Sequence, residues 1–320
     1  MNAGEKTLEW LRHEQLRVDD KWSVDLPNGF AWWAAGNRQS ITIVGSEEGP
    51  DGEMAYWIGV ETEVFQNVEA DIPEKKLAVL TPLMMMASMA GLVHKPEEGR
   101  MNLRSVVRVH EGVREWMSPL ISMAAMIQIL EAREFLPKFG KALNWTIAES
   151  GHPDSGVRAM PDELVNGVRE ILNQTGSESS RWQSEEFERS HAAHMQGPPS
   201  VLTTVGANGI TAEFPYGSRT SLCEFVANQP HPVWENGLLR LQQFPAPGLS
   251  ESEGALLALH MNHLELTGMP AGYGFGSYAY NNGSICFSGF IPNCAYRQGL
   301  LPNLYFAAAG RAYFVDRELN

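Results

Sequence analysis

The chain has little cysteine, no long apolar run and fewer basic than acidic side chains. Each shortage removes a class of function. Its three cysteines, Cys223, Cys286 and Cys294, form no Cys-x-x-Cys pair, and an odd count cannot make a complete intramolecular disulfide framework. No stretch approaches the ~20 apolar residues of a membrane span. Met1-Asn2-Ala3-Gly4-Glu5-Lys6-Thr7 lacks the basic and apolar regions of a signal peptide. With 24 Lys and Arg against 38 Asp and Glu, the formal charge is −14. That balance opposes nucleic-acid binding, which needs clustered cations on phosphate, and adsorption on anionic membranes. The expectation is a cytoplasmic protein with no nucleic-acid and no membrane partner.

Catalytic motifs are also missing. There is no Gly-x-Ser-x-Gly elbow and no His-Glu-x-x-His. Gly272-Tyr273-Gly274-Phe275-Gly276 has the look of a phosphate loop, yet it enters a strand and not a helix N-terminus. Close packing of backbone against a helix, or a bulge, is the reading. The acidic pairs Glu47-Glu48, Glu97-Glu98 and Glu185-Glu186 read as solvated surface. No cofactor is expected.

What the chain has is internal repetition. A stretch from Phe30 to Phe135 and another from Val201 to Leu319 present similar elements in the same order. The hairpin Phe30–Ala35, Gly36-Asn37, Ile41–Val44 is matched with Val201–Val205, Asn208-Gly209, Ile210–Phe214. Gly99 precedes alternating Met101, Leu103 and Ser105; Gly283 precedes Ile285, Phe287 and Gly289. Period-two alternation reads as strands with a buried face. Pro119 and Pro302 each fit a helical first turn, where the missing N–H costs little, and each opens an alanine-rich closing helix.

Punctuation supplies the rest. Thr7–Arg17 reads as an amphipathic helix, Asp51-Gly52 as a turn, and Ala55–Phe65 as a strand. Pro73 opens a helix containing Leu77, Leu80, Leu83 and Met84 that ends near Gly91, with Pro82 kinking it or delaying its start. Pro161–Leu172 reads as a short helix and Gly197-Pro198-Pro199 as a stop. Ser250 and Glu253 form a capping box for the helix Gly254–Thr267. Asn282-Gly283 is a type I′ hairpin signal. The fold class is therefore α+β: two related domains, each an antiparallel sheet with helices packed on it. The boundaries are residues 1–143, a linker over 144–160, and 161–320 with its own leading helices.

Two features suggest sites. Met84, Met85, Met86 and Met89 crowd one helix, and flexible thioethers suit either an irregular core or an adaptable partner-binding face. His191 with His194, and His260 with His263, place two imidazoles on one helical face, the start of a metal site that needs a third ligand. The first reading is a non-enzymatic, protein-binding or chaperone-like protein acting on a protein partner or on itself. The alternative is a metal-dependent enzyme using one His-x-x-His pair.

The order helix, three strands, helix, two strands, helix resembles the type III secretion chaperone-like fold, with its YbjN-like family of bacterial proteins. It is carried best by Gly254–Thr267, Ser277–Tyr280, Asn282-Gly283, Ser284–Ile291 and Leu300-Leu301-Pro302. The resemblance implies small acidic domains that bind other proteins, often as dimers, without catalytic residues. It implies further that the halves pack as a pseudo-dimer with their closing helices covered. Pro230-His231-Pro232 is an insertion that the first half lacks.

Overall fold

The structure, a computed structural model, describes residues 1–49, 52–86, 88–178, 181–195, 201–268 and 271–319. The Asp51-Gly52 turn and the Gly197-Pro198-Pro199 stop fall wholly or partly outside them. The first half runs α1 (Ala3–Trp10), β1 (Ser23–Leu26), β2 (Gly29–Trp32), β3 (Gln39–Glu48), β4 (Met54–Gln66), α2 (Glu74–Met85), β5 (Gly91–Lys95), β6 (Arg100–Val109) and α3 (Arg114–Leu130). Then come α4 (Pro137–Leu143), β7 (Thr146–Ile147), α5 (Glu163–Gly176) and α6 (Ser184–His194). The second half has β8 (Leu202–Gly206), β9 (Gly209–Tyr216), β10 (Arg219–His231), β11 (Glu235–Pro245), α7 (Glu251–Thr267), β12 (Ser277–Asn281), β13 (Ser284–Pro292) and α8 (Leu300–Leu319).

Two antiparallel sheets result, so the α+β class holds. The first has strand order β1-β2-β3-β4-β6-β5, with β7 added against β4; the second has β8-β9-β10-β11-β13-β12. In each, four strands meander, a helix follows, and the last strand inserts beside the fourth. The count of three strands before the central helix was one short in the first half, because β1 is brief and polar.

The strand order also shifts the hairpin match. The counterpart of the β8–β9 turn is β1–β2, closed by Leu26↔Gly29 as the other is by Gly206↔Gly209. Asn28-Gly29 thus corresponds to Asn208-Gly209. Both glycines lack room for a side chain in the same way. A Cβ on Gly29 would lie 2.1 Å from the Ile41 carbonyl oxygen, and one on Gly209 would lie 2.0 Å from that of Phe225.

Each sheet buries one face under its closing helix: α3 with α1 on the first, α8 with α6 on the second. A buried glutamine ties sheet to helix in both. Gln39 Nε2 donates to the Ala125 carbonyl at 2.8 Å, and Gln242 Nε2 to that of Ala308 at 2.9 Å. Ala125 follows Pro119 at the spacing at which Ala308 follows Pro302. Pro119 itself sits beyond the first turn, since α3 starts at Arg114, and Ser118 Oγ satisfies the Arg114 carbonyl. The capping box at Ser250 and Glu253 is present, and Asn282 and Gly283 both take positive φ in the β12–β13 turn.

The halves are fastened reciprocally. α2 lies on β12 and β13 of the second sheet, while α7 reaches β5 and β6 of the first. One cluster of buried apolar side chains runs through both halves. This explains why the first central helix stops at Met85, short of Gly91. Gly91 starts β5, where a Cβ would meet Leu266 Cδ1 at 2.6 Å and the Gly276 carbonyl at 2.9 Å. Residues 144–160 are bound to the first half and do not behave as a free linker: β7 pairs with β4, His152 Nε2 bonds the Ser23 carbonyl at 3.1 Å, and Ser155 Oγ donates to that of Lys21.

Candidate protein-binding surface

The two sheets treat their second faces differently. On the first, Arg104 and Lys95 pair with Glu61, Arg100 and Arg38 with Glu63, and Arg108 with Glu47 at 2.5 Å. Burial pushes the Glu61 carboxyl up, but Arg104 and Lys95 more than offset it and leave it below the ordinary value. Leu266 of α7 covers Val93 and Val106 on the same face.

On the second sheet, β12 and β13 are buried on both faces beneath α2, whereas β9, β10 and β11 alternate between buried and half-exposed residues. Alternation of this kind marks a sheet with one open face. Cross-strand register places Leu202, Glu213, Leu222 and Gln243 in one row, Thr204, Thr211, Glu224 and Leu241 in the next, and Val226 beside Leu239 in a third. Leu222, Val226, Leu239 and Leu241 are half-buried and stand outside the buried core, and Leu202 is 60% exposed. The charged residues in these rows are Glu213 and Glu224, both carboxylates. Five aliphatic side chains therefore share an open surface with acidic neighbours.

This surface was missed from the sequence. Its strands show the hydrophobic–polar alternation only weakly, because apolar residues occupy both faces of β10 and β11. The sequence points instead to the methionine helix, whose side chains turn inward. Met84 and Met89 are buried, Met85 and Met86 half-buried, all against the common core. The backbone at Met85 and Met86 accepts hydrogen bonds from Ser288 Oγ at 3.0 Å and His231 Nε2 at 2.8 Å. The partner of the methionine face is the other half of the same chain. The Pro230-His231-Pro232 insertion extends β10 to make that contact. Burial drives the His231 imidazolium pKa down to about 4.

At the same seam Glu131, at the end of α3, accepts from Ser88 Oγ at 2.5 Å and from Trp234 Nε1 at 3.2 Å. Burial raises its carboxyl pKa to about 7. The closing helices are mostly covered by their own sheets and neighbouring helices, although Phe306 and Tyr313 of α8 are 57% and 72% exposed.

The histidine pairs lie apart, one on α6 and one on α7. His191 is half-buried and His194 exposed on α6; His260 and His263 are exposed on α7 and line a cleft of about 370 Å3 with His94 and Asp71. Among the described residues no group of three or more His, Cys, Asp or Glu is arranged to hold a metal ion. Cys223 and Cys286 are buried, and burial raises their thiol pKa values to about 12 and about 11. Such thiols are poor nucleophiles at neutral pH. Gly272 of the glycine-rich stretch packs on α8, where a Cβ would meet Ala307 Cβ at 2.7 Å, so close backbone packing is the reason for that residue. Glu186 departs from the solvated reading: it is buried and accepts from the Tyr296 hydroxyl at 2.8 Å.

A further ionic cluster is wholly internal. Arg311 of α8 grips Glu265 of α7 through Nη2 at 2.6 Å and Nε at 3.0 Å, and the Tyr278 hydroxyl donates to the same carboxylate at 2.6 Å. Both members of the pair are 0% exposed. Arg240 lies alongside, and burial, with Arg311 nearby, lowers its pKa to about 9. Arg311 occupies the spacing after Pro302 that Gln128 occupies after Pro119, where Gln128 Nε2 donates to Ser105 Oγ and Gln128 Oε1 accepts from Thr62. With no exposed member, the cluster is placed to hold sheet against helix and not to meet a substrate.

No family model matches the chain, and comparison with curated proteins and with solved structures finds no match either. Among the described residues no helix is long and apolar enough to cross a membrane.

Proposed function

We propose that the protein is a non-enzymatic, chaperone-like binding protein whose docking surface is the open face of the second sheet. The observation that carries this reading is the set Leu202, Leu222, Val226, Leu239 and Leu241, left outside the core on β8 to β11. Apolar side chains gathered on one open face of a folded protein are a mark of an interaction site. With Glu213 and Glu224 as its charged members, the face suits a protein segment that carries both apolar side chains and lysine or arginine. The type III secretion chaperone-like and YbjN-like class is the proposed kinship. A duplication is the proposed origin of the halves, supported by the equivalence of Gly29 with Gly209 and of Gln128 with Arg311.

The test uses two fluorescent amphipathic peptides of equal apolar content, one carrying lysines and one carrying glutamates. The lysine peptide should bind, weaken as salt rises, and lose at least tenfold in affinity when Leu239 and Leu241 are both replaced by Glu. The thermal midpoint of that variant should stay close to the parent's. Equal binding of both peptides, or indifference to the two substitutions, sinks the proposal. Stoichiometric zinc or iron in the purified protein would argue instead for metal chemistry at one of the histidine pairs.

A further inference from the structure

Away from the open face, a cavity of about 400 Å3 lies between the end of β2, the segment 147–161 and the end of α3. Gly36, Asn37, Arg133, Glu149 and Arg158 are among its lining residues. Arg133 is half-buried and forms no ion pair among the described residues. The neighbouring arginines differ. Arg158 donates to the Trp33 carbonyl at 3.0 Å and pairs with Asp162 at 3.1 Å, and Arg169 pairs with Glu134.

A second observation concerns the backbone that presents Arg133. Residues Glu131–Phe135 form a π-helical turn between α3 and α4, closed by Leu136 N donating to the Glu131 carbonyl at 2.9 Å. Single π turns within helices are uncommon and concentrate at functional sites. This one carries the unpaired guanidinium to the cavity wall. Burial and the nearby Arg169 both disfavour its charged form, so a negative group arriving in the cavity would be stabilised.

We propose that this cavity binds a small oxyanion, held by the Arg133 guanidinium. The planar fork of arginine matches two oxygens of a phosphate or carboxylate group. Glu149 on the rim is exposed and of the wrong sign, which keeps the affinity modest in the native protein.

The experiment titrates the full chain with inorganic phosphate and, separately, with malonate, at ionic strength held constant with sodium chloride, and follows binding by calorimetry. At least one probe should bind saturably, and the preference between them identifies the class of oxyanion. Arg133→Gln should lose tenfold or more in affinity. Glu149→Gln, a change at an exposed position, should bind severalfold more tightly. Absence of saturable binding to the native chain overturns the proposal, as does an unchanged affinity in Glu149→Gln. A loss of stability in Glu149→Gln equal to that in Arg133→Gln, with no further loss in the double variant, would show that Glu149 is the internal counter-ion and also overturn it.

Discussion

Replacing Glu131 by Gln should remove a pH dependence of stability that the seam imposes. The Glu131 carboxyl is fully enclosed, receives hydrogen bonds from Ser88 and Trp234, and has no ion-pair partner among the described residues. Burial raises its pKa from 4.5 to about 7. The folded protein therefore keeps this proton over a range in which the unfolded chain has released it. The stabilisation linked to the proton is fully present below about pH 4.5 and is lost as pH rises towards about 7. At about 1.4 kcal/mol for each pKa unit, the loss comes to roughly 3 kcal/mol. Gln retains the acceptor oxygen facing Ser88 and Trp234 but cannot ionise. His231, packed beside Trp234 with a pKa near 4, stays neutral over most of the window and does not mask the effect. Urea unfolding of both proteins at pH 5, 6, 7 and 8 gives the difference in stability at each pH. That difference should move in favour of Glu131→Gln by roughly 2–3 kcal/mol between pH 5 and 8, most of it below pH 7. A difference constant across the series would refute the buried-acid account.

Arg311→Met should cost about 3–5 kcal/mol in urea unfolding, because it strands the Glu265 carboxylate in the core. The double variant with Glu265→Leu should cost much less than the sum of the single changes; simple additivity would deny the pairing. Met84→Ala should cost about 2–5 kcal/mol for a fully buried side chain at the seam. The two halves should still unfold in one transition, and two separate transitions would contradict their common core. Gly209→Ala should destabilise markedly, since its Cβ would fall on the Phe225 carbonyl oxygen. A neutral result, read by thermal unfolding, would undo the equivalence drawn between Gly29 and Gly209.

Local grammar made much of the fold legible. Ser250 with Glu253, and Asn282 with Gly283, announce their cap and turn through interactions within a few residues, so their effect survives any tertiary context. Asn28-Gly29 carried the same turn signal but lay before a strand assigned from Phe30 onward, and β1 ahead of it is too short and polar to show alternation. Gly91–Lys95 has few apolar residues and is a strand because it pairs with β6 and packs under α7, which nothing within the segment discloses. The methionine cluster illustrates the deeper limit. A thioether that fills a core gap and one that greets a partner are the same residue in the same helical pattern. Only the placement of the second half decides which, and the open face of β8 to β11 shows only once the described helices are seen to pack elsewhere.

The dissimilar outer faces of the two sheets bear on valency. A dimer of identical subunits must present every docking face twice, and so can bridge two partners into a chain or network. Here two similarly connected halves belong to one polypeptide, and one outer face is closed by the Arg104–Glu61 and Arg100–Glu63 ion pairs while the other is left apolar. On the proposed reading, one chain would offer a single docking face. A partner docked there would then be held one to one and would not be cross-linked.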